Sequence, residues 1–302
     1  MEKLNRDELF TLAVHLDLVD LLNFCGSNKY IHKNVCIRNE IWIYKLNRDF
    51  PDFRNLEITE SFKELYQILF FLTKLKGKFE IEENIYELYR SKGLYLSNND
   101  LTVMPKEIFS LRYLRDLSLS YNELTEIPKE IGELINLRQL SLSNNKLTII
   151  PKELFTLSNL NLLYLKGNKL IEIQKDIGDL INLQKLELSL NNLTEIPKEI
   201  GDLINLQTLD LSNNKLTAIP KEIGNLTNLQ TLSLSNNKLT AIPKEIGNLT
   251  DLQILVLSYN KLSEIPKEIG DLTNLQKLYL RNNNKLFKIP KEISENDKIQ
   301  IF

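Results

Sequence analysis

The chain has 302 residues, with 38 basic and 40 acidic side chains and a formal net charge of −2 at pH 7. This near balance argues against proteins that bind nucleic acid or anionic membranes through a large positive surface. We therefore expect neither a nucleic-acid partner nor a membrane partner. The length suffices for one large domain or for two smaller ones.

The first 50 residues have the apolar spacing of short helices. Asn5 and Glu8 are spaced as a capping box, in which Asn5 accepts from first-turn amides and Glu8 accepts from the Asn5 amide. Leu9, Leu12 and Leu16 then share one helical face. These spacings predict a first helix that begins at the capping box.

Three further short helices follow within the same segment. The second ends near Gly26, the third includes Ile31, and the fourth begins near Asn39 and carries Trp42. Helices of this length are unstable alone, so we expect them to pack on one another.

This segment resembles an F-box. The resemblance rests on an opening leucine, Leu4, and on Leu16 at the end of the first helix. It also rests on a central aspartate-leucine-leucine step at Asp20, Leu21 and Leu22, and on a closing tryptophan, Trp42. Asn5 stands where the family has proline. The resemblance implies that residues 1–50 bind the adaptor subunit of a cullin-RING ubiquitin ligase. The adaptor contacts that it implies are Leu4, Leu9, Leu16, Asp20, Leu21, Leu22 and Trp42.

Residues 51–92 have the pattern of a helical linker and cap. Ser61 opens an amphipathic helix with Phe62, Leu65 and Leu69 on one side. A second helix is predicted around residues 85–89. Because the ends of a repeat array would otherwise expose apolar core, we expect residues 51–92 to cover the first repeat.

A 23-residue sequence repeat occurs nine times within residues 93–302. Leucines recur at this spacing from Leu94 to Leu278, a second leucine follows each by two residues, and an asparagine follows by five, from Asn99 to Asn283. Alternation over leucine-x-leucine is the period of a strand with one buried face. Stacked copies form a parallel sheet over a shared leucine core. We expect the asparagines to form a buried ladder that binds backbone groups at the turn.

Each unit then turns away from the sheet. Prolines fix φ and lack an N–H, so this return segment cannot extend the sheet and becomes the convex wall. They are Pro128, Pro151, Pro197, Pro220, Pro243 and Pro266, and Gln174 replaces proline in one copy. Residues 299–302 have the spelling of a truncated tenth strand.

The repeats resemble leucine-rich repeats of the 23-residue class. The resemblance implies an α/β solenoid, curved, with parallel β-strands on its concave face, preceded here by the small helical F-box-like domain. The whole layout resembles F-box and leucine-rich-repeat proteins encoded by giant viruses of amoebae. Residues 20–25 and 42–47 carry that second resemblance.

Cys25 and Cys36 are the only cysteines, and no cysteine clusters flank the repeats. This usage favours a reducing compartment. The start of the chain lacks the basic and uninterrupted apolar regions of a signal peptide. We therefore expect a cytoplasmic protein, located in the host cytosol if it is viral.

Catalytic chemistry finds little support in the sequence. His15 and His32 are the only histidines, and no glycine-rich phosphate loop occurs. Together with Cys25 and Cys36 the histidines invite a zinc interpretation, but their spacing fits no structural zinc pattern. We expect no enzyme activity, no cofactor and no metal.

The candidate target-binding residues are outward strand positions that vary while the leucines do not. They are Tyr164, Lys166, Glu187, Asp210, Ile254, Val256, Tyr259, Lys277, Tyr279 and Arg281. Bulky apolar and aromatic residues beside an arginine have the composition of an interface hot spot. We expect Glu187 and Asp210 to steer a basic partner. The alternative is that a C-terminal cap partly buries the patch.

Two hypotheses on function follow. The first is the substrate-recognition subunit of an SCF-type cullin-RING ubiquitin ligase, whose box binds the adaptor and whose solenoid binds an unidentified protein target. The second is a non-enzymatic scaffold or sensor whose N-terminal helices only cap the solenoid. Either protein is expected to be a monomer by itself.

Overall fold

The computed structural model describes residues 4–302. Within that range the chain forms two compact units. The helical unit contains residues 4–91 and 105–111, and the repeat unit contains residues 92–104 and 112–302. No helix among the described residues is long and apolar enough to cross a membrane.

The helical unit contains six α-helices and one π-helical turn at His32–Cys36. The helices are α1 (Arg6–His15), α2 (Leu18–Ser27), α3 (Lys29–Ile31), α4 (Asn39–Asp49), α5 (Phe62–Phe79) and α6 (Ile85–Tyr89). The predicted capping box at the start of α1 is confirmed, because Asn5 Oδ1 accepts from the Glu8 amide at 3.0 Å and the Asn5 amide donates to Glu8 at 2.8 Å. Ser61 caps α5 in the same way.

Two cations of α4 bind the C-terminal end of α1. The buried Lys45 ammonium donates to the Leu16 carbonyl, and Arg48 donates to the Val14 carbonyl at 2.6 Å. The last carbonyls of a helix lack intrahelical partners, so cations stabilise them. Burial lowers the pKa of Lys45 below its ordinary value.

A carboxylate next to this pair has a shifted pKa. Burial raises the pKa of Asp49, but hydrogen bonds from Arg48 at 2.5 Å and from the Tyr66 hydroxyl at 2.6 Å outweigh burial. The pKa of Asp49 therefore lies below its ordinary value. Asp49 thus links α4 to α5 as an ionised group.

Cys25 and Cys36 form a disulfide between α2 and the π-helical turn, with their Cα atoms 5.8 Å apart. The sequence interpretation took the two cysteines, and the absence of flanking cysteine clusters, to favour a reducing compartment. In the fold, the π-helical turn places Cys36 next to Cys25, although the two residues are 11 positions apart in the chain. The cysteine pattern therefore does not support a reducing compartment.

The repeat unit is one sheet of ten parallel strands in chain order. The strands are β1 (Gly93–Tyr95), β2 (Asp116–Ser118), β3 (Gln139–Ser141), β4 (Leu162–Tyr164), β5 (Lys185–Glu187), β6 (Thr208–Asp210), β7 (Thr231–Ser233), β8 (Ile254–Val256), β9 (Lys277–Tyr279) and β10 (Gln300–Ile301). Each strand pairs its central leucine with the leucine one repeat later, as Leu117 pairs with Leu140. The predicted curved solenoid and its truncated tenth strand are confirmed.

The wall of each repeat is a five-residue 3₁₀ turn. Proline precedes most of these turns, and Gln174 adopts the same extended backbone, with φ −68°, in the one exceptional copy. The four-residue helix α7 (Lys291–Ser294) takes the place of the turn in the last copy. The turns pack closely, because a Cβ on Gly224 would lie 2.4 Å from the backbone oxygen of Glu245. Glycine at this position therefore permits the close approach of these two turns.

The predicted asparagine ladder is buried from Asn122 to Asn283. Each amide nitrogen donates to backbone carbonyls of its own and the preceding repeat, and each amide oxygen accepts a backbone N–H. Asn99 is exposed, which corrects the prediction for the first copy. No preceding repeat supplies the carbonyl that Asn99 would bind.

A second asparagine ladder runs along the turns that lead into the strands. Asn205 donates to the Ile181 carbonyl and Asn228 donates to the Ile204 carbonyl, at 2.8 and 2.7 Å. These asparagines join successive repeats at the turns that precede the strands, whereas the first ladder lies at the turns that follow them.

Candidate protein-binding surfaces

The concave face consists of the residues that flank each central strand leucine. In strands β2 to β9 the central leucine is buried, and the residues on both sides of it are half-buried. Side chains at one position lie one strand spacing apart along the sheet, about 4.8 Å. The repeat therefore presents variable side chains on a rigid, ordered surface.

The middle of this face holds a charge-paired cluster. Lys185 forms an ion pair with Glu187 at 2.8 Å, and its ammonium lies 5.1 Å from the centre of the Tyr164 ring. The hydrogen bond that Lys185 donates to Glu187 raises the pKa of Lys185. Asp210 accepts a hydrogen bond from the Ser212 amide at 3.0 Å.

This cluster changes the interpretation of the acidic middle. The predicted residues Tyr164, Glu187 and Asp210 lie on three adjacent strands, as expected, and Lys166 is exposed beside them. Sequence reasoning missed Lys185, whose charge offsets that of Glu187. The acidic field predicted to steer a basic partner is therefore weaker than the sequence suggested.

The C-terminal patch is partly covered. Tyr259 is 59% exposed and Arg281 is exposed, but Ile254, Val256, Lys277 and Tyr279 are half-buried. The Tyr279 ring stacks on Phe302, with the ring centres 4.7 Å apart. The alternative of a C-terminal cap thus holds for Tyr279, while Tyr259 and Arg281 stay accessible.

The residues assigned to adaptor binding separate by burial. Leu9, Leu21 and Trp42 are at most 1% exposed and belong to the core of the helical unit. The Trp42 indole donates to the Cys36 carbonyl at 2.9 Å. These three side chains are buried in the chain as it stands, and their part in adaptor binding stays a prediction.

The remaining residues of that set reach solvent. Leu4, Leu16 and Leu22 are half-buried, and Asp20 is exposed. Sequence reasoning missed the most accessible apolar residues of the helical unit, which are Leu12, Val19, Tyr30, Ile37 and Tyr44, each between 46% and 62% exposed.

The residues considered as zinc ligands are His15, Cys25, His32 and Cys36. Cys25 and Cys36 bind each other, and His15 and His32 are exposed. Over residues 4–302, no three histidine, cysteine, aspartate or glutamate side chains come close enough together to hold a metal ion.

Two protein-family profiles match the repeat unit. One described as leucine rich repeat matches residues 92–147 and 135–193. The other, described as leucine-rich repeat region, matches residues 172–255 and 221–300. Together they extend from residue 92 to residue 300. Comparison with curated proteins found no match.

Solved structures with the same architecture agree with these profiles. A leucine-rich-repeat protein of Leptospira interrogans is 46% identical over 69% of this chain and 53% of its own, with a TM-score of 0.66. The plant peptide hormone receptor RGFR1, solved with RGF2, is 42% identical over 70% of this chain and 35% of its own, with a TM-score of 0.65.

A third similar structure is the ectodomain of the membrane receptor kinase GASSHO1/SCHENGEN3 from Arabidopsis thaliana, in complex with CASPARIAN STRIP INTEGRITY FACTOR 2. It is 36% identical over 65% of this chain and 24% of its own, with a TM-score of 0.58. The chain thus spans about half the length of the Leptospira protein and between about a quarter and about a third of the two plant receptors.

Leucine-rich repeats serve as protein interaction modules, and proteins built from them are typically non-enzymatic binding scaffolds. The matched profiles, the ten parallel strands and the asparagine ladder all lie in the same region. The chain is a leucine-rich-repeat protein.

Proposed function

We propose that the chain is the substrate-recognition subunit of an SCF-type cullin-RING ubiquitin ligase. The helical unit binds the adaptor, and the repeat unit binds a protein target. The chain has no catalytic role of its own: it holds the target near the recruited conjugating enzyme, which raises the effective concentration of target lysines. The protein acts in the cytoplasm, or in the host cytosol if it is viral.

The observation that carries the proposal is the exposed apolar surface of the helical unit. Leu12, Val19 and Ile37 are 49%, 52% and 62% exposed, although the unit also has a complete apolar core. Exposed apolar side chains gain free energy when a partner removes them from water. This surface belongs to the segment that resembles an F-box, which favours an adaptor as the partner.

The test is a titration of the purified chain with the adaptor subunit. Val19→Asp and Leu12→Asp place a charge on the exposed surface, and we expect each to weaken binding at least tenfold, which is about 1.4 kcal/mol. Thr11→Asp is the matched control, because it places the same charge in α1 at an exposed residue that is already polar. The variants must keep the wild-type circular dichroism spectrum.

Substitution of the buried Leu21 has a different expected result. A charge at a fully buried position unfolds the helical unit, so loss of binding by Leu21→Asp would report on the core. Absence of adaptor binding by the folded wild type would favour the second function, a scaffold or sensor whose helices only cap the solenoid. The completeness of the helical core is the observation that favours this second candidate.

Target binding is assigned to the concave face. Tyr259→Ala combined with Arg281→Ala should weaken binding of the target at least tenfold while adaptor binding persists. Tyr259 and Arg281 are the more accessible members of the C-terminal patch. Unchanged target binding by the folded double variant would remove this assignment.

A further inference from the structure

The N-terminal end of the concave face carries a row of three cations. Lys92, Arg115 and Arg138 immediately precede β1, β2 and β3, and all three are exposed. The Arg115 amide donates to the Lys92 carbonyl, and the Arg138 amide donates to the Arg115 carbonyl, both at 2.7 Å. These bonds place the three backbones at successive strand spacings of about 4.8 Å.

The charges in this row are not neutralised by the chain. Within residues 4–302, none of the three forms a side-chain hydrogen bond or an ion pair. The neighbouring carboxylate is Asp116, which is half-buried at the start of β2. One carboxylate against three cations leaves this edge of the sheet positive.

The fold does not require these charges. The same position holds an uncharged amide in the next six repeats, at Asn161, Gln184, Gln207, Gln230, Gln253 and Gln276. In the first five of these repeats the backbone carbonyl accepts a pair of amides from the following repeat, as Gln184 accepts from residues 207 and 208, and the Gln276 carbonyl accepts one. Adjacent like charges repel each other, so the cations add a cost that glutamine avoids.

An aromatic side chain borders the row. Tyr95 is 69% exposed, and its ring lies over the start of β1, with ring atoms 3.0 Å from where a Cβ on Gly93 would be. Lys92 precedes that glycine directly. Tyrosine next to unpaired cations supplies apolar contact area beside a charged contact, as in many protein interfaces.

We propose that Lys92, Arg115, Arg138 and Tyr95 bind an acidic segment of a partner protein. An extended acidic peptide that crosses the first three strands meets one cation at each strand. This inference rests on the proposed function and deepens it, because it gives the chemistry of the target that the concave face holds. A protein is favoured over nucleic acid because the chain is net negative and this row is short.

The probe is a fluorescein-labelled polyglutamate peptide, with a polyglutamine peptide of equal length as its control. Fluorescence anisotropy measures binding to the whole chain at low and at physiological ionic strength. We expect the wild type to bind polyglutamate, with an affinity that falls as salt rises, and not to bind polyglutamine. The variant Lys92→Gln/Arg115→Gln/Arg138→Gln should bind polyglutamate at least tenfold more weakly.

The wall supplies a matched control. Lys198→Gln/Lys221→Gln/Lys244→Gln removes the same charge from exposed positions in three successive repeats, so net charge and repeat chemistry change equally. We expect this control to bind polyglutamate as the wild type does. Equal losses in both triple variants, no polyglutamate binding by the wild type, or tighter binding of a polyuridine oligonucleotide would overturn the proposal.

These outcomes are separate from those of the ligase proposal. Adaptor binding depends on Val19 and Leu12, which lie in the helical unit. If the adaptor binds but polyglutamate does not, the acidic-segment proposal fails alone. If polyglutamate binds but the adaptor does not, the ligase proposal fails alone.

Discussion

The buried asparagine ladder gives a sharp test of how the repeats are held together. Asn214→Ala should lower the free energy of unfolding by about 1–3 kcal/mol, the cost of leaving a buried polar backbone group unpaired. The group concerned is the Leu193 N–H, which donates to Asn214 Oδ1 at 3.0 Å. Leu193 is fully buried, so water cannot replace the lost acceptor.

The carbonyls on the other side of Asn214 contribute less. Its amide nitrogen donates to the Leu188 and Leu211 carbonyls, both at 3.0 Å. Each carbonyl also accepts from a second ladder asparagine, Asn191 or Asn237, and keeps that bond in the variant. The loss of stability is therefore set mainly by the Leu193 N–H, which is left without an acceptor.

Equilibrium unfolding in urea, followed by circular dichroism, measures the change. Asn99→Ala is the matched control, because Asn99 has the same repeat position but is exposed and donates only to the Ser97 carbonyl. We expect the control to change stability by no more than about 0.5 kcal/mol. An unchanged midpoint for Asn214→Ala, or equal losses in both variants, would refute the reasoning.

Three further predictions concern the wall and the helical unit. Gly224→Ala should destabilise the protein by about 1–3 kcal/mol in the same unfolding assay, because the new methyl would overlap the Glu245 backbone oxygen; wild-type stability would contradict the packing. Gln174→Pro should raise the thermal midpoint slightly, because its φ of −68° suits proline and the gain of about 0.4–1 kcal/mol is only partly offset by the lost bond to the Ile150 carbonyl. A lower midpoint would show that the bond matters more. The ionised Asp49 stabilises the folded state at pH values above its unfolded pKa of about 3.9, and this stability is lost as the pH falls through its lower folded pKa. Asp49→Asn should therefore reduce the acid sensitivity of the helical circular dichroism signal. Parallel acid profiles for the variant and the wild type would contradict this contribution.

The sequence predicted the repeat unit well because periodicity acts on every copy at once. A one-residue error in register would turn each central leucine, such as Leu117, toward solvent, so only one pairing buries the whole set. The same argument located the buried asparagines. It failed at Asn99, where the preceding repeat that the argument assumes is missing.

The surfaces were harder to predict because they depend on pairs that no period encodes. Lys185 is an ordinary variable residue in the sequence, yet it pairs with Glu187 and contacts Tyr164. In the helical unit, Leu21 matches the motif of the F-box family, but the pattern of such short helices did not predict whether its side chain is buried. The structure places it in the core. The Cys25–Cys36 disulfide depends on a turn that the spacing alone did not indicate.

The most direct test of the account is assembly of the purified chain with the adaptor and a cullin, measured by size-exclusion chromatography with light scattering. The account predicts a complex that contains one copy of each protein. Val19→Asp should prevent its formation, whereas Tyr259→Ala/Arg281→Ala should leave it intact, because the two surfaces belong to different units. Elution of the folded wild-type chain alone, at every concentration tested, would contradict the account.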